Sequence, residues 1–387
     1  QWYRGAGGAP GSGRLAEPGG HSVNRVLAVL RQVNVDWPLL AGLLGLCGVG
    51  LMLAYSAGGG AVSALHSQGL RVGIGVVLLL LAAQVPVGWL QRLAAPLYVL
   101  TVLLLVAVDV VGAIGQGAQR WLDLGVVRFQ PSELAKIAVP MMVARYLSDR
   151  VLPPAPRDVL ITAALALLPV GLIAAQPDLG TSLLVTAAGL SVLFLAGLGW
   201  RLIGAFAALA AAGAPLLWLF GMHDYQRQRV LTLFDPERDP LGSGYHIIQS
   251  TIAIGSGGFY GKGWLEGTQT RLHFLPESAT DFVFAVFGEE FGLLGAIGLL
   301  LLYGFIIGRG MHIAMQAGDG FARLFGGGLV CTFFVYVLVN IGMVSGIFPV
   351  VGVPLPLVSY GGTSMVTLML GFGMLTGIRA HRKLWPA

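Results

Sequence analysis

Long apolar runs separated by short polar stretches dominate the sequence. Two of them, 94–115 and 321–347, exceed the 18 apolar residues that indicate a membrane-spanning helix. A segment in lipid must satisfy its own backbone hydrogen bonds, so these runs predict α-helices. About ten spans are predicted, at 38–57, 69–90, 94–115, 132–147, 158–175, 180–199, 202–221, 281–308, 321–347 and 361–379.

Composition agrees with this pattern. Hydrophobic residues make up 56% of the 387 residues and charged residues 11%, against about 25% charged residues in soluble domains. The predicted fold class is an all-α polytopic membrane protein, with one transmembrane domain over 35–387. Residues 1–34 are interpreted as an N-terminal tail. Its first 20 residues have the composition of a linker, and they are either a disordered tail or a remnant of expression. The net charge of +5 gives no reason to expect nucleic acid.

Lys and Arg residues set the predicted orientation, because cytoplasmic loops carry an excess of both. With both chain ends in the cytoplasm, the short outer connections hold only Arg71, Arg120 and Arg128. One long extracytoplasmic loop, about 222–280, carries five more basic residues: Arg227, Arg229, Arg238, Lys262 and Arg271. They are either ordinary solvated surface or a receptor for an anion such as a lipid diphosphate. Within this loop, 225–234 mixes basic and apolar residues as an interfacial helix does.

Charged residues inside spans are costly and are therefore candidates for function. Glu133 and Lys136 lie three residues apart, so they share a helix face. They form either a bridge that only neutralises itself or part of a cation-rich pocket with Arg120. The adjacent Glu289 and Glu290 point to different faces. Both are interpreted first as polar groups of the bundle; the helix geometry would also allow Glu289 to face the same cavity as Asp281, and it favours a partner on another helix for Glu290.

Asp281 stands at the start of an apolar run and has two interpretations. The stretch 278–281 resembles a capping box, in which an acidic residue serves the first helical turn. A carboxylate at the mouth of a membrane bundle is equally a candidate catalytic group. Asp178 precedes the sixth predicted span in the same manner, and there a helix cap is favoured.

Two glycine-rich stretches have different interpretations. The stretch 255–264 is not a phosphate-binding P-loop. Ser256 occupies the position of the first required glycine, and Gly263 occupies the position of the required Ser or Thr. The stretch 354–364 is rich in Pro and Gly, and predicts either an ordinary turn or a buried re-entrant loop in which Ser359 and Tyr360 could bind a sugar. No His, Cys or Asp cluster has metal-ligand spacing.

Four longer stretches are distinctive: GAQRWLDLGVVRFQPSELAK (117–136), QPDLGTS (176–182), IAIGSGGFYGKGWLEGTQTRLHFLPESATDFVFAVFGEEFG (252–292) and GMVSGIFPVVGVPLPLVSYGGTS (342–364). They resemble the SEDS family of bacterial membrane proteins, and its cell-elongation branch in particular. The resemblance implies a peptidoglycan glycosyltransferase of the bacterial cytoplasmic membrane. Such enzymes polymerise lipid II, a disaccharide-peptide on undecaprenyl diphosphate, on the outer face. They work beside a class B penicillin-binding protein and other elongation-complex proteins.

The same resemblance implies roles for individual residues. The catalytic aspartate of the family matches Asp281, and Arg120, Glu133 and Lys136 match residues expected to line the same cavity. Lys262 and Ser359 are further candidates for substrate binding. A divalent cation, Mg²⁺ or Mn²⁺, is a hypothesis without assigned ligands, and no nucleotide cofactor is expected. A lipid II flippase and a non-enzymatic scaffold are the alternative functions.

Overall fold

The computed structural model describes residues 34–115, 118–123, 128–222, 224–239, 242–272, 274–275 and 277–380. Each predicted span corresponds to a helix. In chain order these helices are α1 (Trp37–Ala57), α2 (Val62–Ala83), α3 (Val87–Val111), α4 (Pro131–Ser148), α5 (Pro156–Ala175), α6 (Leu179–Leu195), α7 (Trp200–Leu216), α11 (Val283–Met315), α12 (Gly320–Val344) and α13 (Thr363–Ala380). Within the described residues, six helices are both long and apolar enough to cross a membrane: α1, α2, α3, α5, α11 and α12. The chain is therefore a multi-pass helical membrane protein, and the number of ten spans stays a prediction.

The second and third helices begin about seven residues earlier than predicted. The predicted second span ran through Pro86, whereas α2 ends at Ala83 and α3 begins at Val87. Proline lacks a backbone N–H and disfavours helical geometry in the residue before it, so the chain turns there. Arg71 consequently lies inside α2 and not in an outer connection as predicted.

A small antiparallel sheet between α3 and α4 was not predicted. Its strands are β1 (Ala113–Gly115), β2 (Ala118–Asp123) and β3 (Arg128–Phe129), in the order β1-β2-β3. These strands are too short to show a clear alternation of polar and apolar residues. The sheet matters for the site because β2 carries Arg120.

The predicted long loop contains further structure. It includes α8 (Asp224–Phe234), a 3₁₀ turn at Pro236–Arg238, α9 (Ser243–Gly257) and the single turn α10 (Thr268–Arg271). Helix α8 covers the predicted interfacial segment, although its location at a membrane interface stays a prediction. Helix α9 packs along the first part of α11, so this part of the loop is packed against a helix of the bundle.

The loop after α9 is bound to α11 by backbone hydrogen bonds. Leu293 N donates to Gly258 O at 2.9 Å, and Lys262 N donates to Glu289 O at 3.0 Å. These bonds form where Gly292 leaves helical geometry, at φ 63° and ψ −162°. A Cβ added to Gly292 would lie 2.3 Å from Gly261 N, so only glycine permits this close approach.

The opposite end of the bundle is held by one buried carboxylate. Asp36 caps α1 by accepting a hydrogen bond from Leu39 N at 3.0 Å. It also accepts from Arg309 of α11, at 3.1 Å from Nε and 2.8 Å from Nη2, and forms an ion pair with Arg379 of α13. Three helix ends therefore meet at a single acidic side chain.

Candidate active site

A cavity of about 710 Å³ opens where α4, α6 and α11 begin. Acidic, basic and small residues line it, which is unusual in a chain of this hydropathy. Four of the sequence-predicted residues come together here, although they are far apart in sequence: Arg120, Glu133, Lys136 and Asp281. The loop before α13 and the first residues of that helix supply another wall, which includes Gly352 and 360–364.

Asp281 lies in a tight turn that immediately precedes α11. Phe282 is the N-cap residue of α11 and provides no side-chain cap, so Asp281 is not the helix cap that the sequence also allowed. Asn340 Nδ2 donates to Asp281 O at 2.9 Å. The Ser359 hydroxyl donates to Thr280 O, which fixes the turn from a second side. The backbone is held by neighbours while the carboxylate faces the cavity.

Burial, and after it the charge of Glu277, raise the pKa of Asp281 above its ordinary value, and Arg229 lowers it; together they place the pKa at about 6. Gly352 lies beside this carboxylate, since a Cβ there would be 3.4 Å from Asp281 Oδ2. At neutral pH the group is still ionised, with a pKa close enough to working pH to accept and release a proton.

Glu133 and Lys136 form a buried ion pair at the base of the cavity. Lys136 Nζ lies 2.7 Å from Glu133 Oε1 and donates to the Tyr336 hydroxyl at 3.1 Å. The predicted bridge therefore exists and also lines the pocket, so the two interpretations of the sequence are compatible. Glu133 Oε2 is buried and has no hydrogen-bond partner among the described residues.

Arg120 and Asp178 meet at the turn between α5 and α6. Arg120 donates to the carbonyl oxygens of Pro177 and Gln176, and its Nη1 lies 3.9 Å from Asp178 Oδ1. Asp178 caps α6 by accepting from Thr181 N at 3.2 Å, which confirms the predicted cap. The Arg120 side chain keeps 33% of its exposure, so it can still reach a ligand.

Three predicted residues lie away from the cavity lining. Lys262 Nζ pairs with Glu289 at 2.7 Å, and Glu289 also accepts from Thr268 N at 2.9 Å. Of the two positions that the sequence allowed for Glu289, the structure shows a polar group of the bundle and not a cavity residue, because the loop after α9 covers it. Ser359 accepts from Leu355 N at 2.7 Å and supports the turn of Asp281. The prediction that Glu290 pairs with another helix is confirmed by its hydrogen bond from Ser56 of α1.

Sequence reasoning missed His246 and did not single out Arg229. The imidazole of His246 stacks on Phe282, with ring centroids 5.4 Å apart and an interplanar angle of 14°. Burial lowers the pKa of His246, and its Nδ1 is buried without a hydrogen-bond partner in the described part of the chain. Both residues line the cavity beside Asp281. Arg229 belongs to α8 and His246 to α9, and only the fold of the long loop brings the two helices to Asp281.

Few side chains of the cavity could act as ligands of a divalent cation. The described residues contain no group of three or more His, Cys, Asp or Glu side chains that could hold a metal ion. Glu133 Oε2 is the one buried, unpartnered carboxylate oxygen at the cavity within these residues. The residues present therefore fit a cation only if the substrate supplies most of its ligands.

Comparison with known proteins gives a consistent result. Residues 33–384 match the family model of FtsW, RodA and SpoVE, described as cell cycle proteins. The chain is 56% identical over 353 residues to the peptidoglycan glycosyltransferase MrdB of Escherichia coli (strain K12), covering 91% of this chain and 95% of that one. MrdB of Helicobacter pylori (strain ATCC 700392 / 26695) is 39% identical, over 82% of this chain and 84% of that one.

Solved structures agree. A chain from a peptidoglycan synthase complex that coordinates polymerization and crosslinking matches with a TM-score of 0.77 and 37% identity, over 89% of this chain and 97% of that one. The rod shape determining protein RodA of Thermus thermophilus matches with a TM-score of 0.68 and 32% identity, over 90% and 97% of the two chains.

Proposed function

Since the chain belongs to the family of cell cycle proteins that comprises FtsW, RodA and SpoVE, we propose that it is a peptidoglycan glycosyltransferase with Asp281 as general base. Its relatives that carry the name peptidoglycan glycosyltransferase support the reaction class. The observation that carries the residue assignment is the placement of one carboxylate, with a pKa near 6, in a cavity that also holds Arg120, Arg229 and Lys136.

The reaction is a single displacement with inversion. The donor sugar is linked to the lipid diphosphate in the α configuration, and the product bond is β-1,4. Asp281 takes the proton of the acceptor 4-hydroxyl, whose oxygen attacks the donor C1. The bond between C1 and the diphosphate oxygen breaks, and its electron pair leaves with undecaprenyl diphosphate. Because one inversion occurs, no carboxylate nucleophile is needed, unlike in retaining glycosidases.

The leaving diphosphate gains charge in the transition state, and the cavity supplies cations to stabilise it. Arg120 and Arg229 are only partly buried, whereas Lys136 is buried below them in an ion pair with Glu133 and a hydrogen bond to Tyr336. We therefore assign direct diphosphate contact to the two arginines. Lys136 then contributes positive potential and holds Glu133 in place. Ser359 supports the turn of Asp281, Lys262 ties the loop after α9 to α11 through Glu289, and neither contacts substrate in this mechanism.

A divalent cation remains a separate proposal. Mg²⁺ or Mn²⁺ would bind substrate phosphate oxygens and Glu133, and would supply further neutralisation of the diphosphate. No nucleotide is required, because the lipid diphosphate is already an activated donor. Polymerisation that persists in a metal-free buffer with excess chelator would remove the cation from this proposal.

The setting of the reaction follows from the same assignment. We place both chain ends in the cytoplasm and the cavity on the outer side of the cytoplasmic membrane, where lipid II is polymerised. A class B penicillin-binding protein is the proposed partner, since one structurally similar chain comes from a complex that coordinates polymerization and crosslinking. Other elongation-complex proteins join this assembly in the proposal.

The experiment is polymerisation of fluorescent lipid II by the purified protein, with and without the partner. Asp281→Asn removes the base while keeping size and shape, and the rate should fall by about 10²- to 10⁴-fold. Asp319→Asn is the matched control, because Asp319 caps α12 through Ala322 N and does not line the cavity. Full activity of Asp281→Asn would refute the base assignment. Transport across vesicles without polymer would indicate a flippase, and neither activity would indicate a scaffold.

A further inference from the structure

Arg71 is a charged residue inside an apolar helix. It lies nine residues after the start of α2, about 13 Å along the helix axis. Helix α2 has a mean hydropathy of 1.6 and is one of the six helices that meet the criteria for crossing a membrane. Arginine at such a position is costly, and it is retained where a counter-ion or a ligand compensates for the charge.

The protein supplies no such counter-ion in the part of the chain that the structure describes. No carboxylate there forms an ion pair with Arg71. Instead, the guanidinium carbon lies 4.2 Å from the centroid of the Tyr360 ring, and Nη1 is buried without a hydrogen-bond partner. Stacking on an aromatic ring holds the guanidinium in place but leaves its hydrogen-bond donors unused. Arg71 is thus positioned and remains unneutralised.

The neighbours of Arg71 are residues of the cavity wall. Tyr360 and Gly362 line the cavity, and a Cβ on Gly362 would be 3.8 Å from Arg71 Nε. Tyr360 N donates to Ala279 O at 2.8 Å, two residues before Asp281. Arg71 therefore stands behind the wall formed by the loop before α13, whereas Arg120 is bound to the turn between α5 and α6.

We propose that Arg71 binds a second polyprenyl diphosphate, that of the acceptor lipid II. This inference rests on the proposed function, in which donor and acceptor each carry a diphosphate. The donor diphosphate is the leaving group and lies at the reacting carbon, near Arg120 and Arg229. The acceptor presents its 4-hydroxyl to Asp281, so its own diphosphate lies one disaccharide away. A separate cation is needed there, and Arg71 is a cation directly behind a different wall of the cavity from the one that carries Arg120.

A binding measurement tests this without catalysis. Geranylgeranyl diphosphate is titrated by calorimetry into the Asp281→Asn variant in detergent, with geranylgeraniol as the probe that lacks the diphosphate. Two bound diphosphates per chain are expected, and one is expected when Arg71→Gln is added. Arg92→Gln is the matched control, because Arg92 also belongs to an apolar helix and stacks on an aromatic ring, Trp89 at 5.8 Å. Adding it should leave two bound diphosphates.

Kinetics supply a second test in the otherwise unaltered chain. Arg71→Gln should raise the KM for lipid II at least tenfold with a smaller change in kcat, and Arg71→Lys should restore much of the loss because it keeps the charge. An unchanged melting temperature separates a binding role from a structural one. One bound diphosphate in Asp281→Asn itself, or two after the addition of Arg71→Gln, would overturn the inference.

The two proposals fail in different ways. If Asp281→Asn polymerises lipid II normally, the base assignment fails even where two diphosphates bind. If Asp281→Asn is inactive but Arg71→Gln changes neither stoichiometry nor KM, only the second site fails.

Discussion

The pH dependence of polymerisation follows directly from the environment of Asp281. A general base acts only when ionised, and its pKa here is about 6 because burial and the charge of Glu277 disfavour the carboxylate. About one-eleventh of the molecules would be ionised at pH 5 and about ten-elevenths at pH 7. The value of kcat/KM should therefore fall about tenfold between pH 7 and pH 5.

Glu277→Gln provides the perturbation. Glu277 is exposed, and its carboxylate accepts a hydrogen bond from the Thr280 hydroxyl at 2.7 Å, which a glutamine can also do. Removing its charge lowers the pKa of Asp281, so the acid limb should move to lower pH and the rate at pH 5 should rise relative to that at pH 7. Glu266→Gln is the control, because Glu266 is an exposed glutamate of the same loop that pairs with Arg271.

The assay is the initial rate of lipid II polymerisation from pH 5 to pH 8 at constant ionic strength. His246 also lies beside Asp281, and the charge of Glu277 raises the pKa of both groups. A substitution of His246 therefore has to show which of the two groups produces the acid limb. His246→Gln should leave the acid limb in place. A rate that does not change between pH 5 and pH 8, or a limb that Glu277→Gln moves to higher pH, would refute the reasoning.

Three further predictions concern stability. The pKa of Asp281 is higher in the folded chain than its ordinary 3.8, so the stability that its protonated form contributes is fully present below pH 3.8 and is lost as pH rises through about 6. At pH 7.5, Asp281→Asn should therefore raise the free energy of unfolding by at most about 3 kcal/mol, measured as a higher melting temperature. Near pH 4 the same substitution should give no gain. Lys136→Met should lower the free energy of unfolding by about 3–5 kcal/mol, because it leaves Glu133 charged and unpaired, and adding Glu133→Gln should recover part of the loss. Gly292→Ala should lower the melting temperature markedly, because φ is 63° and the new Cβ would overlap the backbone of the loop, whereas Gly298→Ala, with nothing within 4 Å, should not.

The helices were predictable because lipid imposes one simple rule on the chain. Apolar runs must form helices, and the resulting pattern identified α1 and α4 to within about a residue at each end. The error at Pro86 arose because hydropathy alone does not register a turn made by an apolar residue. Among the described residues, six helices are both long and apolar enough to cross a membrane, whereas α6 is apolar but only 17 residues long.

The site was only partly predictable. Asp281, Glu133 and Lys136 stand out because charge is rare in apolar runs, and the structure brings them to one cavity. The partner of Glu289 could not be inferred, because it depends on a loop that folds back on α11 through backbone hydrogen bonds. Backbone contacts of this kind leave little trace in a single sequence. His246 was missed for the same reason: α9 is held beside α11 by the loop that follows it, and the sequence does not reveal those backbone hydrogen bonds.

The buried carboxylate of Asp36 has a consequence for biosynthesis. Asp36 is made before the helices that the structure describes, whereas its partners Arg309 and Arg379 belong to α11 and α13, which are made much later. Until α11 is made, α1 therefore carries a charge that only later parts of the chain can neutralise. Products that stop before α11 keep this defect, which gives cellular quality control a local means to distinguish them from longer chains.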